Sequence, residues 1–401
     1  MKYSVLLFSL VMFVGCGIKS AHNPAPVASS IDDKDAIVLH VDSSLEHEAI
    51  LFEDMIESIR LVPLEFSSDA IVGHISNIIV TDNHFFVEDT YQSRSGLILF
   101  DKNGKFVKRY YIGNGPGEFT DVQSVFLSQG YLYVNSGAAY KINKYSISGD
   151  FLSDAFYKDI ISVCSAKIGS NYLFLQEEMQ NYERMPKLIV ADSNLVQTAE
   201  YCLAPSPSCY SSCELVMYDD DHCLCVLQHV NDIFSFSNGS LKVKYRIDLS
   251  DYQYHIPEGV FTREKFNGEA YLHGIQAFYE SISPGKYLFS GSVCESESYL
   301  SFRIWGSRFM IQTMFYNKNT GKIWRVHPRL PSLFNTLWHC GKVNCSGQKD
   351  TYWSYISPDQ IEFVDLEGMR DLLSPQDIEL LKNFDPEDNP IVIIYKLKEN
   401  L

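Results

Sequence analysis

The sequence lacks the short motifs that identify the common hydrolase classes. It contains no Gly-x-Ser-x-Gly, no His-Glu-x-x-His and no cysteine-nucleophile signature. Its 11 histidines are scattered, and three of them, His40, His74 and His84, lie on strand-like stretches where a structural role is expected. No particular reaction is therefore indicated by motif.

Basic residues are few for a chain of 401 residues. Lys and Arg number 33 against 50 Asp and Glu, which gives a formal net charge of -17 at pH 7. Nucleic acids and anionic lipid surfaces both bind through concentrated Lys and Arg, so the composition argues against either as a partner. Solubility is a sufficient reason for the acidity.

The N-terminal apolar run is too short to cross a membrane. Residues 1–16 have Lys2, an apolar run at 5–14 and a small residue before Cys16, which is the order of a secretion signal. The end of this stretch, Phe-Val-Gly-Cys, resembles the lipobox of bacterial lipoproteins, in which Cys16 carries the lipid and begins the mature protein. Gly17 rather than Asp follows, so the outer membrane is the expected destination, with its periplasmic or surface face left open. An ordinary signal peptide with an incidental cysteine is the alternative.

Cysteine occurs at 10 positions, so that an odd number remains besides Cys16. An odd number in an oxidising compartment defines no complete disulfide framework. Cys223 and Cys225 alternate on a strand-like stretch and are predicted to be small core residues. A disulfide and a metal site remain alternatives, although the spacings match no zinc pattern well. The residues concerned are Cys209, Cys213, His222, Cys223, Cys225 and His229.

A hairpin signal recurs along the chain and predicts the fold. Residues 97–119 have the pattern of a strand, a turn at Asn103-Gly104, a second strand and a glycine-proline loop. Steps of 45 residues place Gly104, Gly149, Asn194 and Gly239 at the equivalent bend. Gly and Asn adopt the left-handed conformation at low cost. A repeat of this length built from strands, in a chain with 13% aromatic residues, predicts a β-propeller.

The repeats are expected to form six blades. The first begins with an apolar strand at 75–80 and a turn at 82–83. An insertion at 251–283 lengthens the interval between the fourth and fifth repeats, residues 319–321 form a fifth hairpin, and a degenerate sixth repeat is expected at 332–365. The anchors of the second strands are expected at Phe86, Tyr133, Phe174, Cys225, Leu288 and Tyr352.

The chain ends supply single strands outside the repeats. A strand at 37–41 precedes the first full repeat and another at 391–397 follows the last. Pairing of such ends in one blade closes a ring and removes an open edge. One clear helix is expected at 374–384, with a serine cap and a proline at its first position. We therefore expect an all-β, six-bladed β-propeller over 35–401, closed by N- and C-terminal strands, with one short C-terminal helix, behind a flexible tether at 17–34.

Four pieces of the chain resemble one known family. They are Leu-Val-Pro-Leu-Glu at 61–65, the Asn103-Gly104 hairpin, Gly-Asn-Gly-Pro-Gly-Glu-Phe at 113–119 and the closing stretch at 388–398. In these pieces the chain is similar to the six-bladed β-propeller lipoproteins of Bacteroidetes, relatives of NHL-repeat and TolB-like propellers. The resemblance implies the fold and a location in the cell envelope. Because most members have no assigned activity, it implies little chemistry.

The loop at 113–119 is the most distinctive candidate for a site. It lacks the Lys-Ser/Thr of a phosphate-binding P-loop and leads into a strand, so no helix dipole is available for an anion. One interpretation is a blade-to-blade crossover, in which glycines allow close approach of the backbone and Pro116 fixes the bend. The other is a ligand site at the mouth of the ring, formed by Gly113, Gly115, Gly117 and Glu118.

Two functional classes remain open. The first is an envelope-anchored binding or scaffolding module that recognises a glycan, a peptide or an envelope protein through loops on a rigid propeller. The second is a propeller enzyme, a metal-assisted hydrolase or lyase, which needs several His, Asp, Glu or Asn converging on the central channel. The inner-strand stretch at 124–127 offers few such residues. No cofactor or metal is expected from the sequence, and the membrane is a partner only through the lipid.

Overall fold

The structure of the protein is a computed structural model built mainly of β-strands. It describes residues 30–47, 49–90, 96–180, 183–203, 213–257, 270–328, 333–334, 341–342 and 349–399. The expected secretion signal, Cys16 and most of the tether lie outside the described residues. The backbone of Asp32 forms a bridge with Lys242, so the chain from this point onward contacts the globular unit.

The N-terminal segment supplies three strands before the first full blade. These are β1 (Ile37–His40), β2 (Ile50–Leu51) and β3 (Ile56–Pro63), with α1 (Asp42–Glu46) after β1 and a short 3-10 helix (Phe52–Met55) before β3.

Blades 1 to 3 are four-stranded antiparallel sheets whose strands follow one another in sequence. Blade 1 contains β4 (Ile75–Val80), β5 (His84–Asp89), β6 (Gly96–Asp101) and β7 (Phe106–Tyr110). Blade 2 contains β8 (Ser124–Ser128), β9 (Tyr131–Ser136), β10 (Lys141–Ser146) and β11 (Phe151–Phe156). Blade 3 contains β12 (Ser162–Ile168), β13 (Asn171–Gln180), β14 (Glu183–Ala191) and β15 (Gln197–Cys202).

Blades 4 to 6 recruit the strands of the N-terminal segment. Blade 4 contains β16 (Cys213–Met217), β17 (His222–Leu227), β18 (Asp232–Ser237) and β19 (Ser240–Asp248). Blade 5 contains β20 (Tyr287–Glu295), β21 (Tyr299–Gly306), β22 (Ile311–Asn317) and β23 (Ile323–His327). Blade 6 contains β24 (Gly341–Lys342), β25 (Thr351–Ile356) and β26 (Ile391–Leu397), with β3 as its outer strand.

The first strands of the blades form a closed ring. The strands β4, β8, β12, β16, β20 and β24 contact one another in turn, and β24 contacts β4. In blade 6, β3 pairs antiparallel with β26, so that Pro63 lies opposite Ile391. The N- and C-terminal parts of the chain therefore meet in one sheet. The predicted six-bladed propeller, closed by N- and C-terminal strands, is confirmed.

The strand predicted at 37–41 takes no part in this closure. Instead, β1 adds in parallel to β19 on the outside of blade 4, and β2 adds in parallel to β23 on the outside of blade 5. The closing strand is β3, which begins directly after the short 3-10 helix at Phe52–Met55. A strand can pair with any free edge, so the local pattern indicates a strand but not its neighbour.

The left-handed bends predicted for the hairpins are largely confirmed. Gly104, Gly149 and Gly239 have φ of 82°, 88° and 74°, and Gly321 closes the fifth hairpin with φ of 73°. A side chain is disfavoured at such angles, which explains why glycine recurs at these positions.

The bend predicted at Asn194 is wrong, because the positive φ, 61°, belongs to Leu195. Oδ1 of Asp192 accepts hydrogen bonds from the backbone N–H groups of Asn194 and Val196, at 2.9 and 3.0 Å. Asp101 holds the first hairpin through the same pair of bonds. Asp192 follows Asp101 by 91 positions rather than twice 45, so the third hairpin is displaced by one residue from the predicted frame.

One of the predicted second-strand anchors is also wrong. Leu288 lies on β20, the inner strand of blade 5. The insertion between blades 4 and 5 contains α2 (Ala270–Ser281), which the sequence pattern missed, and it delays the start of blade 5. The remaining anchors do lie on second strands: Phe86, Tyr133, Phe174, Cys225 and Tyr352.

The other helices lie in the connection between β25 and β26 of blade 6. They are α3 (Pro358–Ile361) and α4 (Pro375–Lys382). The C-terminal helix α4 has the expected cap, because Ser374 Oγ accepts from Asp377 N at 3.1 Å and the Asp377 carboxylate accepts from Ser374 N at 3.0 Å. Short 3-10 helices occur at Ser250–Tyr252 and Ser307–Phe309. Within the ranges given above, no helix is long and apolar enough to cross a membrane.

The hydrophobic core is divided into layers between neighbouring blades. On β6, Leu97 and Leu99 pack against blade 2, whereas Ile98 and Phe100 pack against blade 6. Successive side chains of a strand point to opposite faces, and both faces of a blade are covered here. This is the physical reason why β6 is apolar at consecutive positions rather than at alternate ones.

Candidate functional site

The loop at 113–119 is the crossover from β7 of blade 1 to β8 of blade 2. Its ends are held together, because Gly113 N donates to Phe119 O at 3.0 Å. The carboxylate of Glu118 turns inward and accepts through Oε2 from Gly115 N at 2.7 Å. A Cβ at Gly113 would lie 2.1 Å from the same Oε2, so glycine leaves the room that the carboxylate occupies. Glu118 therefore stabilises the conformation of its own loop.

The loop is bonded to the outer half of blade 2. Glu118 O accepts from Lys141 Nζ at 2.7 Å and from Asn143 Nδ2 at 2.8 Å, both on β10. Gly117 O accepts from the Tyr145 hydroxyl at 3.0 Å. Burial raises the pKa of Tyr145 to about 12, so this hydroxyl keeps its proton at neutral pH. The structure thus brings the four predicted site residues together, against the third strand of the blade rather than its inner strand. Contact between them and a ligand stays a prediction.

The outer strand of blade 2, β11, is exposed along most of its length. The loop packs against Phe151, the first residue of β11, since a Cβ at Gly117 would lie 2.9 Å from the Phe151 side chain. Further along, Leu152 and Phe156 are 48% and 65% exposed, and Ile161 beyond the strand is 68% exposed. We call the loop at 113–119, β11 and Ile161 the blade 2 flank. It combines a rigid loop with a row of accessible apolar side chains.

The outer edge of β11 has no neighbouring strand among the described residues. Blades 4 and 5 differ in this respect, because β1 and β2 add to their outer strands. An unpaired strand presents a row of backbone donors and acceptors that can pair with another chain. Asp154 is exposed on this strand, and Lys158 and Asp159 are exposed just beyond its end.

Two carboxyl groups with raised pKa lie in opposite blades, one on the second strand of blade 1 and one on the innermost strand of blade 4. Burial raises the pKa of Glu88, on β5 of blade 1, to about 7 against a hydrogen bond from Ser76. Burial also raises the pKa of Glu214, on β16 of blade 4, to about 7 against the attraction of Arg303. Neither acid belongs to a recognisable motif, although an acid inside an apolar strand is a visible signal in the sequence. In the part of the chain that the structure describes, no group of three or more His, Cys, Asp or Glu is arranged to hold a metal ion.

The cysteines predicted to be core residues are buried. Cys223 and Cys225 are free thiols with no exposed surface, in the apolar layer between blades 3 and 4. Burial raises the pKa of both thiols well above the ordinary value, so they remain protonated. Cys209 and the side chain of Cys213 lie outside the described residues.

Two solved structures share this fold. A protein of Bacteroides fragilis NCTC 9343, described as exported, has a TM-score of 0.64 at 18% sequence identity, over 91% of this chain and 99% of its own. A member of the DUF4221 family from Bacteroides vulgatus ATCC 8482 has a TM-score of 0.51 at 11% identity, over 88% of this chain and 98% of its own. At these identities the likeness shows the fold alone.

The sequence also matches a protein family over nearly the whole propeller. None of the curated proteins matches the chain. The model of the family described as "Domain of unknown function (DUF4934)" matches residues 36–396. This range begins just before β1 and ends within β26, so it includes all six blades and the strands that close them. The chain belongs to the DUF4934 family.

Proposed function

We propose that the protein is a lipid-anchored binding module of the bacterial outer membrane whose blade 2 flank binds an extended segment of another envelope protein. The observation that carries the proposal is β11, an outer strand with exposed apolar side chains and, among the described residues, no strand beside it. This combination is typical of sites where a second chain adds a strand.

The anchor of this module is Cys16. The order of features at 1–16 and the lipobox resemblance support it, and the structural relative from Bacteroides fragilis is described as exported. The tether expected at 17–34 separates Cys16 from the ring, and its last residues contact the ring through the backbone bridge between Asp32 and Lys242. Fully extended, such a tether spans roughly 50 Å. The ring would thus stand clear of the membrane with its flanks accessible.

We expect Cys16→Ser to release the protein from the membrane fraction, because the lipid on this sulfur supplies the attachment. Detergent phase separation followed by immunoblotting measures the effect. Cys202→Ser, which changes an exposed free cysteine of blade 3, is the control and should leave the protein in the detergent phase. A wild-type protein that stays in the aqueous phase would contradict the anchor.

The partner expected on the blade 2 flank is an extended strand with apolar and basic side chains. The protein already adds strands to its own blades, since β1 runs parallel to β19 over four residue pairs. A strand beside β11 would gain the same backbone hydrogen bonds, while Leu152 and Phe156 would contact its apolar side chains. Asp154 and Asp159 favour Lys or Arg in that strand. Direct contacts to the partner are also proposed for Gly113, Gly115, Gly117 and Glu118.

We expect the double change Leu152→Lys with Phe156→Lys to abolish partner binding, because charges on an edge strand oppose the addition of a second strand. The measurement is photo-crosslinking in intact cells from a benzophenone amino acid at Ser153, which is exposed on the same strand. The adduct is identified by its mass. The wild type should give one adduct with an envelope protein, and the double variant should lose it.

The matched control is Val196→Lys with Phe363→Lys, which changes similar residues away from blade 2. Their exposures, 47% and 61%, are close to the 48% and 65% of Leu152 and Phe156. The control should keep the adduct, and thermal melts should show that both double variants fold. Loss of the adduct in both, or retention in both, would contradict the proposed site. An adduct between two copies of this chain would replace the proposed partner by self-association.

The alternative is an enzyme, and one observation favours it. Glu88 and Glu214 have pKa values of about 7, which suits groups that exchange protons at neutral pH. However, they belong to blades 1 and 4, which are opposite each other in the ring. A general acid and base must reach the same substrate, so binding is the function that the geometry supports better.

A further inference from the structure

A cleft lies outside the ring, on the side opposite the blade 2 flank. One wall is the N-terminal segment, through β1 and residues 44–47, and the other is the hairpin between β22 and β23 of blade 5. The cleft exists because β1 and β2 run along the outside of blades 4 and 5 instead of joining a blade of their own. Its volume of about 590 Å³ is in the range of small-molecule sites.

The cleft is basic although the protein is acidic. Four residues that line it, His40, His47, Lys322 and Arg325, carry basic side chains, and none of its described lining residues is acidic. Three of the four, His40, His47 and Lys322, are exposed. In a chain with a net charge of -17, the positive charges of Lys322 and Arg325 attract anions to one place on the surface.

Arg325 is the best positioned of these groups. Its Nη2 donates to the backbone oxygen of His47 at 2.8 Å, which fixes the guanidinium between the two walls. Its Nε is buried and has no hydrogen-bond partner among the described groups. The guanidinium keeps further N–H groups on its Nη atoms, and a guanidinium binds carboxylate and phosphate groups through such planar donors.

Two acids on the adjoining elements, Asp248 and Glu46, have hydrogen-bond partners. Asp248 Oδ2 lies 2.7 Å from His40 Nδ1, and the backbone N–H of Ser250 and the His40 ring together hold the pKa of Asp248 below its ordinary value. Glu46 accepts from the Tyr252 hydroxyl at 3.3 Å. Asp248 is thus paired with a basic residue at the rim of the cleft, and the Glu46 carboxylate is directed toward Tyr252.

The rest of the lining is apolar and aromatic. Leu39 contributes from β1, Tyr316 from β22, and Ile323 and Trp324 from β23. Aliphatic and aromatic surface beside a few directed donors is the usual composition of a site for an organic ligand rather than for a bare ion.

We propose that this cleft binds a ring-shaped organic anion about the size of a monosaccharide or disaccharide, with its carboxylate or phosphate on Arg325 and Lys322 and its ring against Trp324. The site is independent of the blade 2 flank and uses a different part of the chain. It adds a small-molecule ligand to the protein partner proposed above.

The test is isothermal titration of the full mature chain at low salt with glucuronate, glucose 6-phosphate and neutral glucose. We expect saturable binding of at least one of the two acids and none of glucose. Lys322→Gln should weaken binding several-fold, and Arg325→Gln by about tenfold or more, because a charge-assisted contact is lost in each. Arg370→Gln, an exposed arginine paired with Glu367, is the matched control and should bind as the wild type does.

Three results would overturn the proposal: equal binding of glucose and the acids, no saturable binding of either acid at millimolar concentration, or equal affinities of Lys322→Gln and Arg370→Gln. Lys322 is exposed, so its variant reports on the cleft even if Arg325→Gln loosens the N-terminal segment.

Discussion

Glu295→Gln is expected to lower the free energy of unfolding by about 3 kcal/mol. Glu295 ends β20 of blade 5, and its side chain has 0% exposure. Lys244 Nζ, from blade 4, lies 2.9 Å from both carboxylate oxygens, and Lys318 Nζ lies 3.0 Å from Oε1. The Tyr245 hydroxyl donates to Oε1 at 2.6 Å. Glutamine preserves the size of the side chain but leaves two ammonium groups without their counter-charge between two blades.

The same carboxylate makes stability depend on pH. Burial acts to raise the pKa of Glu295, but Lys244 and Lys318 outweigh it and hold the pKa below the ordinary value of 4.5. A carboxyl whose pKa is lower in the folded than in the unfolded state stabilises the fold above its unfolded pKa, and this contribution is lost as the pH falls through the folded pKa. The difference between wild type and Glu295→Gln should therefore be largest at neutral pH and decrease below 4.5.

Urea unfolding at neutral and at acidic pH measures both effects. The control is Glu297→Gln, two residues further on, where the carboxylate lies 2.6 Å from Lys349 but both side chains are more than half exposed. An exposed ion pair contributes little, so this variant should unfold nearly as the wild type does. If the two variants lost the same stability, or if the loss at Glu295 did not depend on pH, the buried charge cluster would not act as described.

Gly104→Ala is expected to lower the free energy of unfolding by about 3 kcal/mol, through backbone strain and overpacking together. Gly104 has φ of 82°, and a Cβ there would lie 2.1 Å from the backbone oxygen of Pro63. Gly104 O also accepts from Glu65 N at 2.8 Å. The hairpin of blade 1 thus packs against residues 63–65, at the end of β3 of blade 6, where the ring closes.

The control for this prediction is Gly321→Ala. Gly321 has φ of 73°, close to that of Gly104, but a Cβ there would have no neighbour within 4 Å. The control therefore carries the cost of the left-handed backbone alone, about 1 kcal/mol. Urea unfolding measures the loss in free energy of unfolding for both variants, and the difference between the two losses is the contribution of the contact between blades. Equal losses would show that the contact at Gly104 contributes nothing beyond the local bend.

Contacts between neighbouring blades at these hairpins recur around the ring. The Tyr110 hydroxyl of blade 1 donates to Gly149 O of blade 2 at 2.6 Å, and the Tyr201 hydroxyl of blade 3 donates to Gly239 O of blade 4 at 3.3 Å. The end of an outer strand thus meets the hairpin of the next blade. The repeated glycines recognised in the sequence serve both the turn and the contact with the preceding blade.

Features that depend on a few neighbouring residues could be predicted from the sequence. The bends at Gly104 and Gly149, the strand at 75–80 and the Ser374 cap of α4 are set by backbone conformation and short-range hydrogen bonds. Four hairpins at regular spacing, a fifth hairpin at 319–321 and a degenerate sixth repeat together predicted a six-bladed ring. The third hairpin has one residue more than the 45-residue spacing allows, so this spacing placed the bend at Asn194 instead of Leu195. The hydrogen bonds accepted by Asp192 determine the position of the turn.

The sequence by itself determined the strands, the turns, the number of blades and the position of the glycine loop, because these depend on local conformation and on the alternation of side chains. Only the tertiary structure decided which edges the N-terminal strands cover. It placed β1 and β2 outside blades 4 and 5, left β11 unpaired among the described residues and built the cleft beside Arg325. It likewise brought Glu295 to Lys244, which lies 51 positions away. Pairing across an edge and charge neutralisation in a core depend on distant parts of the chain, so no local pattern reveals them.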